Sequence, residues 1–270
     1  MDYEDPSHKL NSQLQKRRPI YYASGQPRNL EELRIVEAYK QGQRALNYIP
    51  TKETSPWDAY EKICFLKLGD KPVVIAEKRG ISRDVVAISS LEEAQVQAKA
   101  DMVKSIQHPN FVTVHELYRF EGQYHTVSEY MPRSLQEVIG NPFLNDSRLA
   151  AIIGQIVEGL DVLEKRGLQH RELTCSQVLI HPSGNVKIYG YEYIENLHSA
   201  NKNIQDLGYI MMELMQGYAK EGPHVGLDDP DRWSVDTVNF LSATTSATSV
   251  DELKKACLFL EMKNRLLTKL

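Results

Sequence analysis

One short loop gathers most of the side chains able to do chemistry. The stretch HRELTCSQVLI, residues 170–180, sets His170, Arg171 and Glu172 side by side, with Thr174 and Gln177 close behind. Glu172 offers a carboxylate that can orient or accept a proton, and Gln177 an amide oxygen that can face a cation. Lys78 closes the strand-like run KPVVIAEK and could neutralise an anion. In GNVKIYGYE, Gly190 puts a residue without a side chain inside a second strand-like run, and Glu192 follows two positions later.

The elements that must hold these groups fall into two halves. In YEKICFLKLGDKPVVIAEKRG, Ile63 and Phe65 fall on one face of a strand and Cys64, Leu66 and Leu68 on the other. Both faces are therefore expected to be partly buried. A turn at residues 69–72 leads into the β-branched run Val73-Val74-Ile75. The spacing then predicts a helix capped by Ser89 or Ser90, with apolar or small residues at 91, 94, 98, 102, 103 and 106. A hairpin is expected around Glu121-Gly122. The second half is mainly helical. Leu149, Ile152, Ile153, Ile156, Val157, Leu160 and Leu163 make an amphipathic stripe that ends at Gly167. Short strands at 177–180 and 186–189 follow, and then three helix-like segments. Strands followed by helices predict an α+β arrangement.

Bulk properties narrow the function. The chain has 270 residues, 41% hydrophobic and 25% charged, with a formal net charge of −4. That balance argues against general nucleic-acid affinity. The basic cluster Lys16-Arg17-Arg18 reads as a solvated tail. Cys64, Cys175 and Cys257 are too few and too widely spaced for a zinc site or a disulfide framework. No run of 18 apolar residues predicts a membrane span, and the first residues lack the apolar core of a secretory signal. The expected location is cytoplasmic or nuclear. Residues 1–28 read as a flexible tail. Residues 29–48 read as a helical extension, opened by an Asn29/Glu32 capping box and carrying Leu30, Leu33, Val36 and Tyr39.

In order and spacing, Ala76-Glu77-Lys78, HPNFV, VSEYM, HRE, GNVKIYGYE and DLGYIMMEL resemble the eukaryotic protein kinase domain, nearest to its Ser/Thr members. The resemblance implies a bilobal protein kinase-like fold over residues 49–262. The β-rich N-lobe would span 49–132 and the helical C-lobe 133–262, followed by a tail at 263–270. It makes Lys78 the phosphate-facing strand lysine. Ser128 becomes the gate of the nucleotide pocket, with Glu129, Tyr130 and Met131 at its hinge. Tyr191 would join the lobes through a stack with Val103 and His170. Asn203 takes the place of the aspartate that opens the large C-lobe helix.

Against that family the chemical groups depart together. Residues 49–64, where the resemblance places the phosphate cover, contain no glycine. Lys99 stands at the glutamate that should pair with the strand lysine, and Glu92 and Glu93 lie about two turns away. Glu172 replaces the aspartate that orients the substrate hydroxyl, Thr174 a phosphate-contacting lysine, and Gln177 a metal-binding asparagine. Gly190 replaces the metal-binding aspartate, and the backbone position of Glu192 is not equivalent to it. The activation segment is shortened and has no Ala-Pro-Glu, leaving Arg171 without its usual phosphorylated partner. The resemblance thus points to a pseudokinase in which no catalytic residue is intact. ATP binding would be weak or absent and magnesium is not expected. The domain would scaffold or allosterically regulate a protein partner, an active kinase being one candidate. The docking surfaces would be residues 1–46 and the lobe surfaces. The alternatives are a divergent kinase using Lys78 and Glu172, and a nucleotide or small-molecule sensor with a cavity behind Ser128.

Overall fold

The computed structural model describes residues 49, 51–69, 71–81, 83–91, 96–199, 202–220 and 225–256, and the side chains of all of these except 96–100. The predicted tail and helix of residues 1–48, Glu92, Glu93 and the tail 263–270 lie outside the described residues, as does the side chain of Lys99.

The N-lobe is a sheet with one long helix. Strand β1 (Thr51–Lys52) leads through a short helix α1 (Pro56–Ala59) into β2 (Tyr60–Leu68). β3 (Lys71–Lys78) and β4 (Val85–Leu91) follow, then helix α2 (Val96–Ser105). β5 (Val114–Phe120) and β6 (Gln123–Glu129) complete the lobe. The six strands lie in the order β1-β5-β6-β4-β3-β2. β2 and β3 close a two-residue turn in which Leu68 faces Lys71 and Gly69 takes φ 60. The expected hairpin at Glu121-Gly122 joins β5 to β6, and both turn residues sit in the left-handed region. That is the turn geometry whose twist matches a hairpin.

Two secondary-structure expectations for this lobe fail. β2 is an edge strand, and a bulge between Lys62 and Cys64 breaks its register with β3. Ile63 is 55% and Phe65 71% exposed, and Cys64 is exposed as well, so β2 is not covered on both faces. Ser89 and Ser90 do not cap a helix but lie inside β4. Val85, Val86 and Ile88 favour a strand, and β4 fills the slot between β3 and β6, pairing Ala87 with both Ile75 and Ser128. Sheet pairing outweighs the local capping preference.

The C-lobe is organised on α3 (Asp146–Lys165). Its N-cap Asn145 accepts a hydrogen bond from the Arg148 N–H, and the predicted stripe from Leu149 to Leu163 is buried. Each such Leu or Ile contributes about 1.5–3 kcal/mol through burial. β7 (Arg133–Ser134), β9 (Val178–Ile180) and β10 (Val186–Ile188) form a small sheet, and β8 (Leu168–His170) pairs with β11 (Ile194–Asn196). α4 (Lys202–Gln216) and α5 (Val235–Ser246) pack behind, and a further helix runs through residues 250–256. Val103 of α2, the α3 stripe, Tyr191 and Leu207 of α4 belong to one apolar cluster that links the lobes. Among the described residues no helix is long and apolar enough to cross a membrane.

Candidate functional site

The cleft between the lobes has a rigid floor. β8 delivers His170, and Asn203 at the start of α4 holds its backbone from both sides. The His170 N–H donates to Asn203 Oδ1 at 2.9 Å, and Asn203 Nδ2 donates to the His170 carbonyl at 2.6 Å. His170 Nε2 lies 3.1 Å from the Tyr189 carbonyl, which can only accept, so this nitrogen carries the proton. Burial lowers the His170 pKa to about 4, so the ring stays neutral. Tyr191 continues the core beside it. Its hydroxyl donates to the Val112 and Ile106 carbonyls at 2.8 and 3.3 Å, and its ring meets Phe111 at 6.0 Å. The aromatic neighbour of His170 is Tyr193, at 5.7 Å, rather than Tyr191. The expected stack of Val103, Tyr191 and His170 is thus only partly formed, because the turn at residues 191–193 brings the later tyrosine over the imidazole.

Beyond His170 the chain turns outward. Glu172 is exposed and lies 3.3 Å from Arg171, whose guanidinium sits over the Tyr193 ring. Thr174 is exposed and makes no side-chain cap to the turn at 175–177. Gln177 does point inward. It is buried, and its Oε1 has no hydrogen-bond partner.

The turn between β2 and β3 comes down onto this floor. A Cβ on Gly69 would stand 2.6 Å from the Ser176 carbonyl oxygen and 3.5 Å from Gln177 Oε1. Lys71, at the head of β3, reaches Glu192 with 2.8 Å between Nζ and Oε1, and its ammonium also lies over the Tyr193 ring at 5.3 Å. The two side chains are only 19% and 14% exposed. Glu192 therefore enters the cleft, because the 3₁₀ turn at Tyr191–Tyr193 swings it there. Gly190 makes that turn possible at φ 90, and a Cβ on it would lie 2.7 Å from Tyr193 Cδ2 and 3.0 Å from Gln177 Oε1.

Behind the turn the cleft is filled. Leu68, Val73, Ile75, Ala87, Val112, Met131, Leu179 and Tyr189 form one buried apolar cluster. Burial pushes the Tyr189 phenol up, and it hydrogen-bonds Ser89. The cavity left beside Ser89, Ser128 and Tyr189 measures about 10 Å³, the room of a single water. Small-molecule pockets are on the order of 300–1,000 Å³. Ser89 and Thr126 share a 2.8 Å hydrogen bond, and Ser128 donates to the Ala87 carbonyl at 3.1 Å. Glu129 is turned to Lys187 and accepts from the Thr113 N–H at 2.6 Å. Burial raises its carboxyl pKa, but these two donors outweigh that and hold it below the usual range. Glu129 thus serves the joint between the lobes and does not line the pocket as expected.

Comparison with known proteins agrees with this geometry. The profile of the family described as Protein kinase domain matches residues 74–257. The chain belongs to the protein kinase domain family. It is 26% identical over 182 residues to NUAK family SNF1-like kinase 2 of Rattus norvegicus, covering 62% of this chain and 28% of that protein. It is 24% identical over 190 residues to serine/threonine-protein kinase cds1 of Schizosaccharomyces pombe, covering 67% and 41%. It is 26% identical over 194 residues to cyclin-dependent kinase-like 4 of Mus musculus, covering 67% and 55%. The matches thus span between roughly a quarter and just over half the length of these relatives.

With the protein kinase family established, the strands correct the sequence assignment of the lysine. In kinases the Val-Ala-Ile-Lys lysine lies on the third strand. β2 and β3 are the hairpin that precedes it, and β4 is the third strand of the antiparallel set β2 to β6. β4 reads Val86-Ala87-Ile88-Ser89, with Ala87 in the cleft cluster and Ser89 on the same face. Ser89, not Lys78, holds the lysine position. Lys78 is exposed and pairs in register with Tyr60, whose ring packs on the opposite face of the sheet. The phosphate cover is likewise the two-residue turn at Gly69, not residues 49–64. It has one glycine and no room for a phosphate beneath it. The sequence did carry the signal, in the tripeptide Val86-Ala87-Ile88. Lys78 imitates that signal one strand earlier, because it too follows a β-branched run, Val73-Val74-Ile75.

Proposed function

We propose that this protein kinase domain is catalytically silent and works by binding protein, as a scaffold or an allosteric regulator inside the cell, in the cytoplasm or nucleus. One observation carries the reading. The apolar cluster of the cleft is packed through Tyr189, and the cavity behind it, beside Ser89, Ser128 and Tyr191, holds only about 10 Å³. The charges agree with it. Ser89 supplies no cation to phosphates, Gly190 no ligand to a metal, and Glu172 points to solvent. Positioning and metal electrostatics do nearly all the work in phosphoryl transfer. A chain without them keeps its value in its surfaces. The partner is a protein, and an active kinase is the leading candidate. Neither ATP nor magnesium is required.

A second reading is favoured by one cluster. Lys71 pairs with Glu192 in the cleft and Gln177 Oε1 stands between Gly69 and Gly190, so an ammonium, a carboxylate and an amide could form a relocated phosphate and metal site in a divergent kinase. A thermal-shift titration with ATP, with and without magnesium, separates the two. The silent domain shows no shift at millimolar nucleotide. A shift together with phosphate transfer that disappears in Lys71→Met and Glu192→Gln would overturn it.

A further inference from the structure

We propose that Lys71 and Glu192 form an internal bolt that keeps the β2–β3 turn shut on the C-lobe, doing with two side chains what a bound nucleotide and its metal would do in a kinase cleft. The purpose of the closure rests on the silent-domain reading, but its geometry stands alone. Lys71 comes from the N-lobe and Glu192 from the C-lobe, 2.8 Å apart and mostly out of solvent. Other pairs of the N-lobe, such as Arg79–Glu61 and Arg119–Glu53, have more than half of each side chain exposed. Exposed pairs of that kind stabilise little, whereas breaking a pair held largely out of solvent is costly.

The surroundings support a closure and not only a local contact. Gly69 lets the backbone of the turn rest on the Ser176 carbonyl, where any Cβ would collide. The Lys71 ammonium also faces the Tyr193 ring, so the same side chain meets two residues of the C-lobe. Tyr193 and Glu192 are in turn fixed by the turn that begins at Gly190. A ligand that closes a cleft dissociates and lets it open. Two side chains of one chain cannot diffuse away, so they bias the cleft toward the closed form without any ligand. A partner then meets a fixed interlobe surface that nucleotide does not switch.

Hydrogen exchange of the full chain without nucleotide tests this. In Lys71→Met and in Glu192→Gln, the amides of residues 66–68, 73–75 and 175–177 should exchange roughly tenfold faster or more, together. Exchange in α3 serves as the control for global folding. Lys71→Arg, which keeps the charge, should stay near the parent chain. The double variant should be no faster than the worse single one, as required of two groups acting through one contact. Unchanged exchange in the single variants, additive effects in the double, or acceleration of the hairpin without 175–177 would each overturn the bolt. Phosphate transfer by the parent chain would instead remove the silent-domain reading and leave the exchange result standing.

Discussion

At the base of the cleft, Asn203 satisfies both backbone groups of His170, whereas at its mouth Gln177 leaves a buried amide oxygen with no partner. The two sites are joined by one short loop. At the base both backbone groups of His170 and its Nε2 are paired, and only the ring Nδ1 is left without a partner among the described residues. The mouth has small or exchanged residues where a metal and phosphates would be met, and the space is taken up by Tyr189, Gly69 and the Lys71–Glu192 pair. Groups that serve the fold are held in paired geometry, and positions that serve transfer in kinases carry other residues here. A polar residue kept for structure is costly to lose, while one left over from chemistry costs little. That difference can be measured.

The largest effect belongs to the base. Asn203→Ala leaves the His170 N–H and carbonyl buried without partners. At about 1–3 kcal/mol for each such group, the loss is about 4 kcal/mol. For a domain of this size that is on the order of 10 °C in Tm. A fall of a degree or two would break the comparison at once. Gly190→Asp, which restores the missing metal ligand, comes next. Its φ of 90 is strained for any L side chain, and the new Cβ meets the Tyr193 ring. A loss of about 3 kcal/mol is expected. Adding Tyr193→Ala to it should relieve the collision and return part of that stability. A stable Gly190→Asp chain with its parent Tm would show that the mouth is still built for a metal.

His170 sharpens the same contrast through pH. Its pKa falls from 6.5 in the unfolded chain to about 4 in the folded one, because the ring is buried. Between these values the unfolded chain binds a proton that the folded chain refuses. Stability is therefore unaffected above pH 6.5 and falls as pH drops toward 4. At about 1.4 kcal/mol per pH unit, the full loss is about 3 kcal/mol. Denaturant unfolding of His170→Phe should lack this part of the acid dependence, so its stability relative to the parent should improve as pH falls. Parallel curves from pH 7 to 4 would contradict a neutral, buried imidazole.

Much of this frame could be read in the sequence, because its signals are periodic. The α3 stripe shows its buried face directly, and the spacing from His170 to Gln177 and from Gly184 to Gly190 fixes where the altered residues fall. The cleft was harder for physical reasons. Ser89 and Ser90 look like a helix cap until β4 is seen paired on both sides, since pairing is a long-range property. Lys78 and Ser89 both end β-branched runs, and only strand order tells which faces the cleft. The inward turn of Glu192 depends on a 3₁₀ turn whose backbone no side-chain pattern announces. Nothing in a lysine that follows a Gly-Asp turn distinguishes an inward side chain at Lys71 from a solvated one.

The smallest effect is expected at Gln177, and it is the most discriminating. Gln177 is as buried as the residues around it, so burial alone predicts a costly substitution. Its Oε1, however, already lacks a partner and stands between Gly69 and Gly190. An apolar side chain of similar length loses no hydrogen bond there and removes an unsatisfied acceptor. Gln177→Leu should therefore change unfolding free energy by less than about 1 kcal/mol, in either direction. The same substitution at Asn203 should resemble Asn203→Ala. If Gln177→Leu instead cost as much as the loss at Asn203, the amide would have a partner in solution. A cation is the partner its oxygen would suit, and the parent chain should then gain Tm with added magnesium while Gln177→Leu does not.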